Sequence, residues 1–182
     1  MKYFIYFSLS GNGDFIAEKL KEKGYEPIKV EMIKPIKKVG FFSMMKYGFK
    51  AGLSKREKIK PLNLDLKEDD EVIIGSPIWN DRLATPINTV LALLGLNKET
   101  TSFLVYPAGE TANKVKNQLK KLGFKKEPII YPHPLKDQEK INEIIKYKIR
   151  TCHHQACPLF YCPKTTLSFS NSLVTKKMNS PV

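Results

Sequence analysis

The turn at residues 8–13 combines residue types that are suited to holding a phosphate. It reads Ser-Leu-Ser-Gly-Asn-Gly and offers two hydroxyls and one side-chain amide, but no lysine or arginine. Its glycines, Gly11 and Gly13, let the backbone take a positive φ or approach a ligand closely. Neutral donors at a helix N-terminus bind an anion because the helix dipole supplies the complementary charge. The pattern therefore predicts a phosphate site without a cationic side chain.

The same turn lacks the signatures of two common nucleotide sites. A nucleoside triphosphate would need the GxxxxGK[ST] sequence, which is absent from this chain. A dinucleotide site would need a third glycine where the chain has Ile16. A terminal phosphate is the ligand that the turn suits, and a helix-capping turn that binds nothing is the alternative.

Two further segments carry polar or aromatic residues directly after predicted strands. Residues 76–82 (Ser-Pro-Ile-Trp-Asn-Asp-Arg) follow a short apolar strand and contain Trp79, the one tryptophan of the chain. Residues 107–110 (Pro-Ala-Gly-Glu) follow the next strand. We interpret both segments as loops, with the alternative that Trp79 packs in the core or under a lid.

Alternating strands and helices must position these three segments. Apolar strands are predicted at 3–7, 71–75, 101–106 and 128–131, and an alternating, half-exposed or edge strand at 26–31. Amphipathic helices are predicted at 14–22, 83–94, 111–122 and 138–149. This alternation indicates the α/β class, as an open, doubly wound parallel sheet of five strands. Ligands bind such sheets beyond the carboxyl ends of the strands, and all three segments follow such ends. We therefore expect the three segments to converge on one site.

Two of the segments resemble loops of the flavodoxin-like family. Residues 8–13 are similar to its [ST]-x-[ST]-G-N-[ST] phosphate loop, and residues 75–79 to its G-[ST]-P-[VI]-[WY] loop. The resemblance covers residues 1–150 and departs from the family pattern at Gly13, where a threonine or serine is usual. It implies a flavodoxin-like domain with strand order 2-1-3-4-5 and FMN as the cofactor, held with one hydroxyl contact fewer than usual.

The resemblance also implies which residues would contact FMN. They are Ser8, Leu9, Ser10, Gly11, Asn12 and Gly13 at the phosphate, Ser76, Pro77, Ile78, Trp79 and Asn80 beside the isoalloxazine ring, and Pro107, Ala108, Gly109 and Glu110 at the pyrimidine side of the ring. Trp79 would stack on the ring. We predict no catalytic acid or base and no metal ligand, because the flavin itself would carry the redox chemistry.

The chain is strongly basic, which bears on its partners and location. Its 182 residues carry a net charge of +13, mostly from lysines scattered along the sequence. Such a charge attracts acidic proteins, nucleic acids or anionic lipids. No apolar run reaches the length of about 18 residues that a membrane-spanning helix needs. The N-terminus does not resemble a signal peptide either, so we expect a cytoplasmic protein without a transmembrane segment.

The segment 34–60 is basic and aromatic at once. Its lysines are interleaved with phenylalanine, tyrosine and methionine residues. A segment of this kind could make weak contact with a membrane surface or bind a single-stranded nucleic acid. We favour the plainer interpretation, a helical excursion whose aromatic side packs against the domain, and do not expect nucleic-acid binding.

The last part of the chain, residues 151–182, has a different composition. It contains no Asp or Glu and holds all three cysteines, Cys152, Cys157 and Cys162, evenly spaced at five residues. This spacing matches neither paired zinc ligands nor a bacterial ferredoxin cluster. We predict a disordered tail, and a frameshift product is the alternative.

FMN on such a domain would support two activities. An electron carrier would exchange single electrons with an acidic redox protein, and an NAD(P)H-dependent oxidoreductase would reduce a quinone or another small acceptor. The lack of a separate dinucleotide fingerprint favours the carrier. A flavin-free basic module that binds nucleic acid or anionic membrane is a third hypothesis.

Overall fold

The chain forms an open, mostly parallel β-sheet with helices on both faces, in a computed structural model that describes residues 1–36, 40–109 and 112–149. The strands are β1 (Lys2–Tyr6), β2 (Glu26–Lys29), β3 (Glu71–Trp79), β4 (Arg82–Leu83), β5 (Ser102–Tyr106) and β6 (Ile129–Ile130). The helices are α1 (Asn12–Lys21), α2 (Phe41–Gly52), α3 (Thr85–Leu93), α4 (Asn113–Lys121) and α5 (Lys140–Glu143), which continues as a π-helical segment, Ile144–Ile149.

The strand order confirms the predicted topology. The sheet runs β2-β1-β3-β5-β6, and each neighbouring pair in this path is parallel. The two-residue strand β4 lies off the path and pairs antiparallel with the end of β3. If β4 is left out and the strands are renumbered, the order is 2-1-3-4-5. The strand order changes direction at β1, so the carboxyl ends of β1 and β3 lie side by side.

Both faces of the sheet are buried, which explains why β1 reads as a continuous apolar run. Successive strand residues point to opposite faces, so Ile5 and Phe4 belong to different cores, and neither has any exposed surface. Helices α3 and α4 cover the face of Ile5 through residues such as Val90 and Leu119. Helices α1 and α5 cover the face of Phe4.

The third strand is longer than the sequence predicted. We expected it to end at Gly75 and residues 76–82 to form a loop, but β3 continues to Trp79 and residues 76–77 pair with β5. Asn80 and Asp81 then form a tight turn with φ values of 48° and 57°. Two consecutive residues with positive φ are typical of a two-residue hairpin, and this turn returns the chain into β4.

The excursion between β2 and β3 is helical, as predicted, but its packing differs from the prediction. Helix α2 buries Ala51 and half-buries Tyr47, whereas Phe41, Phe42 and Phe49 are exposed to solvent. The expectation that the aromatic side packs against the domain is therefore wrong for these three phenylalanines.

Some predictions fall on residues outside the described ranges. They concern Glu110, the tail 151–182, and residues 37–39 of the basic segment. Within the described residues, no helix has the length and apolar composition needed to cross a membrane.

Candidate functional site

The turn between β1 and α1 has the backbone geometry of an anion site. Gly11 precedes the helix with a φ of 85°, a conformation that favours glycine. The first helical hydrogen bond runs from the Phe15 amide to the Gly11 carbonyl, at 3.0 Å. The amides of Asn12, Gly13 and Asp14 precede it and have no acceptor within the helix. These N–H groups and the helix dipole therefore favour a negative group at this end of α1.

Side chains hold the turn in place. The side-chain Nδ2 of Asn12 donates to the Ser10 hydroxyl at 3.2 Å. The side-chain Oδ1 of Asn12 accepts a hydrogen bond from the backbone amide of Leu135 at 3.3 Å. The second contact ties the turn to the segment that follows β6, 123 positions further along the chain. The turn is thus fixed from two directions.

The hydroxyl of Ser8 has no hydrogen-bond partner among the described residues. Its Oγ is buried, and the Asp14 carboxylate lies near enough for this hydroxyl to lower the pKa of Asp14, but the two groups do not form a hydrogen bond of ordinary geometry. A buried hydroxyl without a partner is destabilising by about 1–3 kcal/mol. A ligand oxygen bound in the turn would supply the missing partner, so this atom fits the predicted phosphate.

Gly13 shows why the chain departs from the family pattern at this position. A Cβ there would lie 2.6 Å from the Tyr106 hydroxyl and 2.9 Å from Cδ2 of Tyr6. The Tyr106 hydroxyl is itself fixed, since it donates to the Phe7 carbonyl, and burial raises its pKa well above the usual value. The space of the usual threonine or serine is therefore filled by tyrosines from β1 and β5.

Asp14 adds a negative charge beside the predicted phosphate. Its carboxylate accepts hydrogen bonds from Lys29 at 2.6 Å and from Tyr6 at 3.1 Å. Partial burial raises the pKa of Asp14, but Lys29, the nearby Ser8 hydroxyl and Tyr6 outweigh it, so that the pKa lies below its usual value. Asp14 is thus ionised at neutral pH, and Lys29 offsets its charge.

A cleft adjoins the turn on the side of β3 and α2. Its lining is mainly apolar and aromatic: Leu9, Ile36, Ser43, Met44, Tyr47, Gly48, Ile78, Trp79 and Asn80. Leu9 belongs to the turn and Ile78, Trp79 and Asn80 to the second predicted segment, so the structure brings these two segments together. The remaining residues come from the excursion, which sequence reasoning had not assigned to the site.

Trp79 forms the inner wall of this cleft. Only 6% of its surface is exposed, and its ring makes an edge contact with Phe7 and a tilted contact with Tyr47, both with ring centroids 5.6 Å apart. Tyr47 is more accessible than Trp79 and also lines the cleft. The aromatic surface of the cleft is thus shared between the predicted Trp79 and the unpredicted Tyr47.

Helix α2 approaches the end of β3 closely. A Cβ at Gly52 would lie 2.7 Å from the Asn80 amide nitrogen, and one at Gly48 would lie 3.7 Å from the Asn80 Cβ. Glycines four residues apart on one helix face let α2 lie against this turn. Their spacing is the sequence signal that could have placed α2 beside the site.

The third predicted segment starts at the same edge of the sheet. Tyr106, the last residue of β5, lies opposite Pro77 of β3 and reaches Phe7 through its hydroxyl. Pro107 is buried, whereas Ala108 and Gly109 are exposed. The three segments therefore follow the neighbouring strands β1, β3 and β5, as the predicted strand order required.

Comparisons with known proteins bear on the fold. No family model matches the chain, and no curated protein matches it. A solved structure of a flavoprotein from Lactobacillus acidophilus NCFM, crystallised in complex with FMN, is similar, with a TM-score of 0.57, 21% identity, and coverage of 78% of this chain and 97% of that chain.

Two Bacteroides structures named as candidate flavoproteins are similar as well. The protein from Bacteroides eggerthii is 23% identical, with a TM-score of 0.54 and coverage of 79% of this chain and 94% of that chain. The protein from Bacteroides uniformis is 16% identical, with a TM-score of 0.57 and coverage of 80% and 97%. The chain has the flavodoxin-like fold of these flavoproteins, as its sequence resemblance implied.

Proposed function

We propose that this chain binds FMN at the β1–α1 turn and the adjoining cleft and acts as a flavoprotein electron carrier. The single observation that carries the proposal is the buried Ser8 Oγ, which has no hydrogen-bond partner in the described part of the chain and lies in a turn of helix-terminal amides. An FMN phosphate would give this hydroxyl a partner. The FMN complex of the similar Lactobacillus flavoprotein supports the choice of ligand.

Each end of the site would have its own task. Ser8, Ser10 and the amides of residues 11–13 would hold the phosphate through neutral donors, with the dipole of α1 supplying charge complementarity. Tyr47, Ile78 and Trp79 would bury an aromatic ring and keep water from part of its surface. When bound, the flavin supplies the electron-transfer chemistry, while the chain positions it and adjusts its potential.

The charge of the chain guides the choice of redox partner. With a net charge of +13, it should associate with an acidic redox protein, and association should weaken as ionic strength rises. A small electron acceptor is the alternative partner. A cytoplasmic location fits either of them.

A flavin titration tests the proposal. Apo-protein is mixed with FMN, and quenching of flavin fluorescence is followed, with riboflavin as the control that lacks the phosphate. We expect FMN to bind in a one-to-one complex and more tightly than riboflavin. No binding of FMN at micromolar concentrations, or equal affinities for the two flavins, would contradict the phosphate site.

A second assay separates the two activities. The FMN-loaded protein is mixed with NADH or NADPH, without any other protein, and oxidation of the nucleotide is followed by absorbance. A carrier should react slowly with both nucleotides. Rapid oxidation coupled to quinone reduction would assign the protein to the NAD(P)H-dependent oxidoreductases instead.

A further inference from the structure

Helix α2 has an apolar surface that nothing in the described part of the chain covers. Besides Met44, which lines the cleft, five large apolar side chains are exposed on it: Phe41 (73%), Phe42 (85%), Met45 (58%), Phe49 (68%) and Leu53 (54%), the last at the C-terminal end of the helix. At 100° per residue they fall within about one third of the helix circumference. We call this set the α2 ridge.

The ridge is not the packing face of the helix. Tyr47 and Ala51, which contact the core, lie on another side of the helix, and Gly48 and Gly52 let Asn80 approach the helix backbone at the edge of the ridge. Helix α2 is therefore already docked on the domain, and the ridge points away from it. Soluble monomeric proteins rarely expose contiguous apolar surface of this kind without a binding function.

The charges around the ridge restrict what could cover it. Residues 40–60 contain six basic side chains (Lys46, Lys50, Lys55, Arg56, Lys58 and Lys60) and one acidic side chain, Glu57. Lys46 follows the ridge around the helix, whereas Lys50 lies on the side of Tyr47 and pairs with Glu57. A second copy of the chain would bring two such basic segments together, which electrostatic repulsion opposes. An anionic surface is complementary to this segment.

The shape and the charge of the ridge together fit an anionic lipid surface. Phenylalanine side chains that protrude from a convex helix offer no pocket and need a surface into which they can insert. They can insert between lipid headgroups while lysines at the edge contact anionic lipid. We propose that α2 is an interfacial helix that binds anionic phospholipid bilayers through the α2 ridge. This proposal does not depend on FMN binding.

Vesicle flotation with the full-length protein tests the proposal. The vesicles contain phosphatidylcholine, alone or with about one third phosphatidylglycerol. We expect binding to the anionic vesicles, and a roughly tenfold or greater loss in Phe41→Ser/Phe42→Ser/Phe49→Ser, because this change removes apolar insertion but no charge. The matched control is Leu93→Ser/Leu122→Ser, which alters exposed leucines of α3 and of the residue after α4 and should bind like wild type.

Charge and insertion are separated by a second pair of variants. Lys46→Glu should weaken binding, whereas Lys23→Glu, the same charge change after the far end of α1, should have a smaller effect. If all lysine variants act alike and the triple serine variant binds as wild type does, binding reflects net charge alone and the proposal is wrong.

The insertion of the α2 ridge into the bilayer can be measured directly. Phe42→Trp and Leu93→Trp are compared in vesicles that contain brominated lipids, which quench tryptophan fluorescence on contact. We expect additional quenching in Phe42→Trp but not in Leu93→Trp, beyond the signal from Trp79. A wild-type protein that ignores anionic vesicles, or that is a dimer which Phe42→Ser converts to monomers, would overturn the proposal in favour of another occupant.

Discussion

The two ends of the candidate site are built in different ways. The phosphate end is one short turn, residues 8–13, whose shape follows from Gly11, from the start of α1 and from the tight packing around Gly13. The ring end combines the last residues of β3 with a helix that lies some thirty positions earlier in the chain. The first is a short segment held tightly by its surroundings, and the second depends on how α2 docks.

This difference shows where each end can be damaged. A change at the phosphate end should disturb packing or the binding of phosphate alone. A change at the ring end should affect any flavin, with or without phosphate. FMN and riboflavin together therefore distinguish the two ends.

The largest effect is expected at the phosphate end, from Gly13→Ala. The new Cβ would lie 2.6 Å from the Tyr106 hydroxyl, which burial and its bond to Phe7 hold in place. We expect the free energy of unfolding to fall by about 1–3 kcal/mol and FMN binding to be lost. Urea denaturation and the flavin titration measure the two effects.

A double-mutant cycle with Tyr106→Phe identifies the cause. The second change removes the hydroxyl that lies nearest to the new Cβ, so Gly13→Ala should destabilise the Tyr106→Phe protein less than wild type. Some destabilisation should persist, because Tyr6 and Ser8 also border the position. Equal effects in the two backgrounds would show that Tyr106 does not exclude a side chain at residue 13.

At the ring end, Tyr47→Ala should weaken binding of both flavins by a similar factor, roughly tenfold. The change removes the more accessible aromatic ring of the cleft. Titrations with FMN and riboflavin provide the measurement. A loss confined to FMN would mean that Tyr47 acts on the phosphate end, which its position in the structure contradicts.

Asp14→Asn should tighten FMN binding by about two- to fivefold, because it removes a negative charge from the N-terminus of α1 and frees Lys29. The variant should also be less stable than wild type at neutral pH. Since the pKa of Asp14 is lowered by folding, its ionised form stabilises the native state above the unfolded pKa of about 4, and this contribution is lost as pH falls through the lower folded pKa.

Denaturation at several pH values tests the second part of that prediction. The deficit of Asp14→Asn relative to wild type should be present at pH 7 and shrink below about pH 4. Asp70→Asn is a useful comparison, since the N-terminal amine lowers the pKa of Asp70 far from the site. It should share the pH trend without tightening FMN binding.

The smallest effect is expected from Gly52→Ala at the ring end. Its Cβ would lie 2.7 Å from the side-chain amide nitrogen of Asn80, almost as close as the 2.6 Å contact at Gly13. Asn80 is exposed, however, and its side chain can turn aside. We expect a change within about 0.5 kcal/mol in the free energy of unfolding, measured by urea denaturation, because helix propensity offsets the contact. A loss as large as that of Gly13→Ala would contradict the view that only the phosphate end is held tightly by its surroundings.

The same contrast explains what could be predicted from sequence. The turn at 8–13 is encoded by adjacent residues, and the sheet order followed from the alternation of strands and helices. The roles of Tyr106 and Tyr47 depend on contacts between distant elements, which periodicity does not reveal. The extension of β3 to Trp79 was missed because Asn80 and Asp81 form a hairpin turn without the glycine that usually marks one.

The exposure of the α2 phenylalanines could not be predicted for a related reason. An amphipathic pattern shows that a helix has an apolar side, but it does not show which side meets the domain. In α2 the small residues Gly48, Ala51 and Gly52 contact the domain, and the larger phenylalanines remain outside. Close approach of the backbone, rather than burial of the largest side chains, decides how this helix docks.

The phosphate site is tested most directly by a comparison of FMN affinity in Ser8→Ala and Thr101→Val. Both changes remove a buried hydroxyl that has no partner in the described part of the chain, and Thr101 lies at the start of β5, at the opposite edge of the sheet from the turn. We expect neither change to destabilise the apo-protein, and only Ser8→Ala to weaken FMN binding, by roughly tenfold or more, with riboflavin binding unchanged. Equal FMN affinity in wild type and Ser8→Ala would contradict a phosphate bound at this turn.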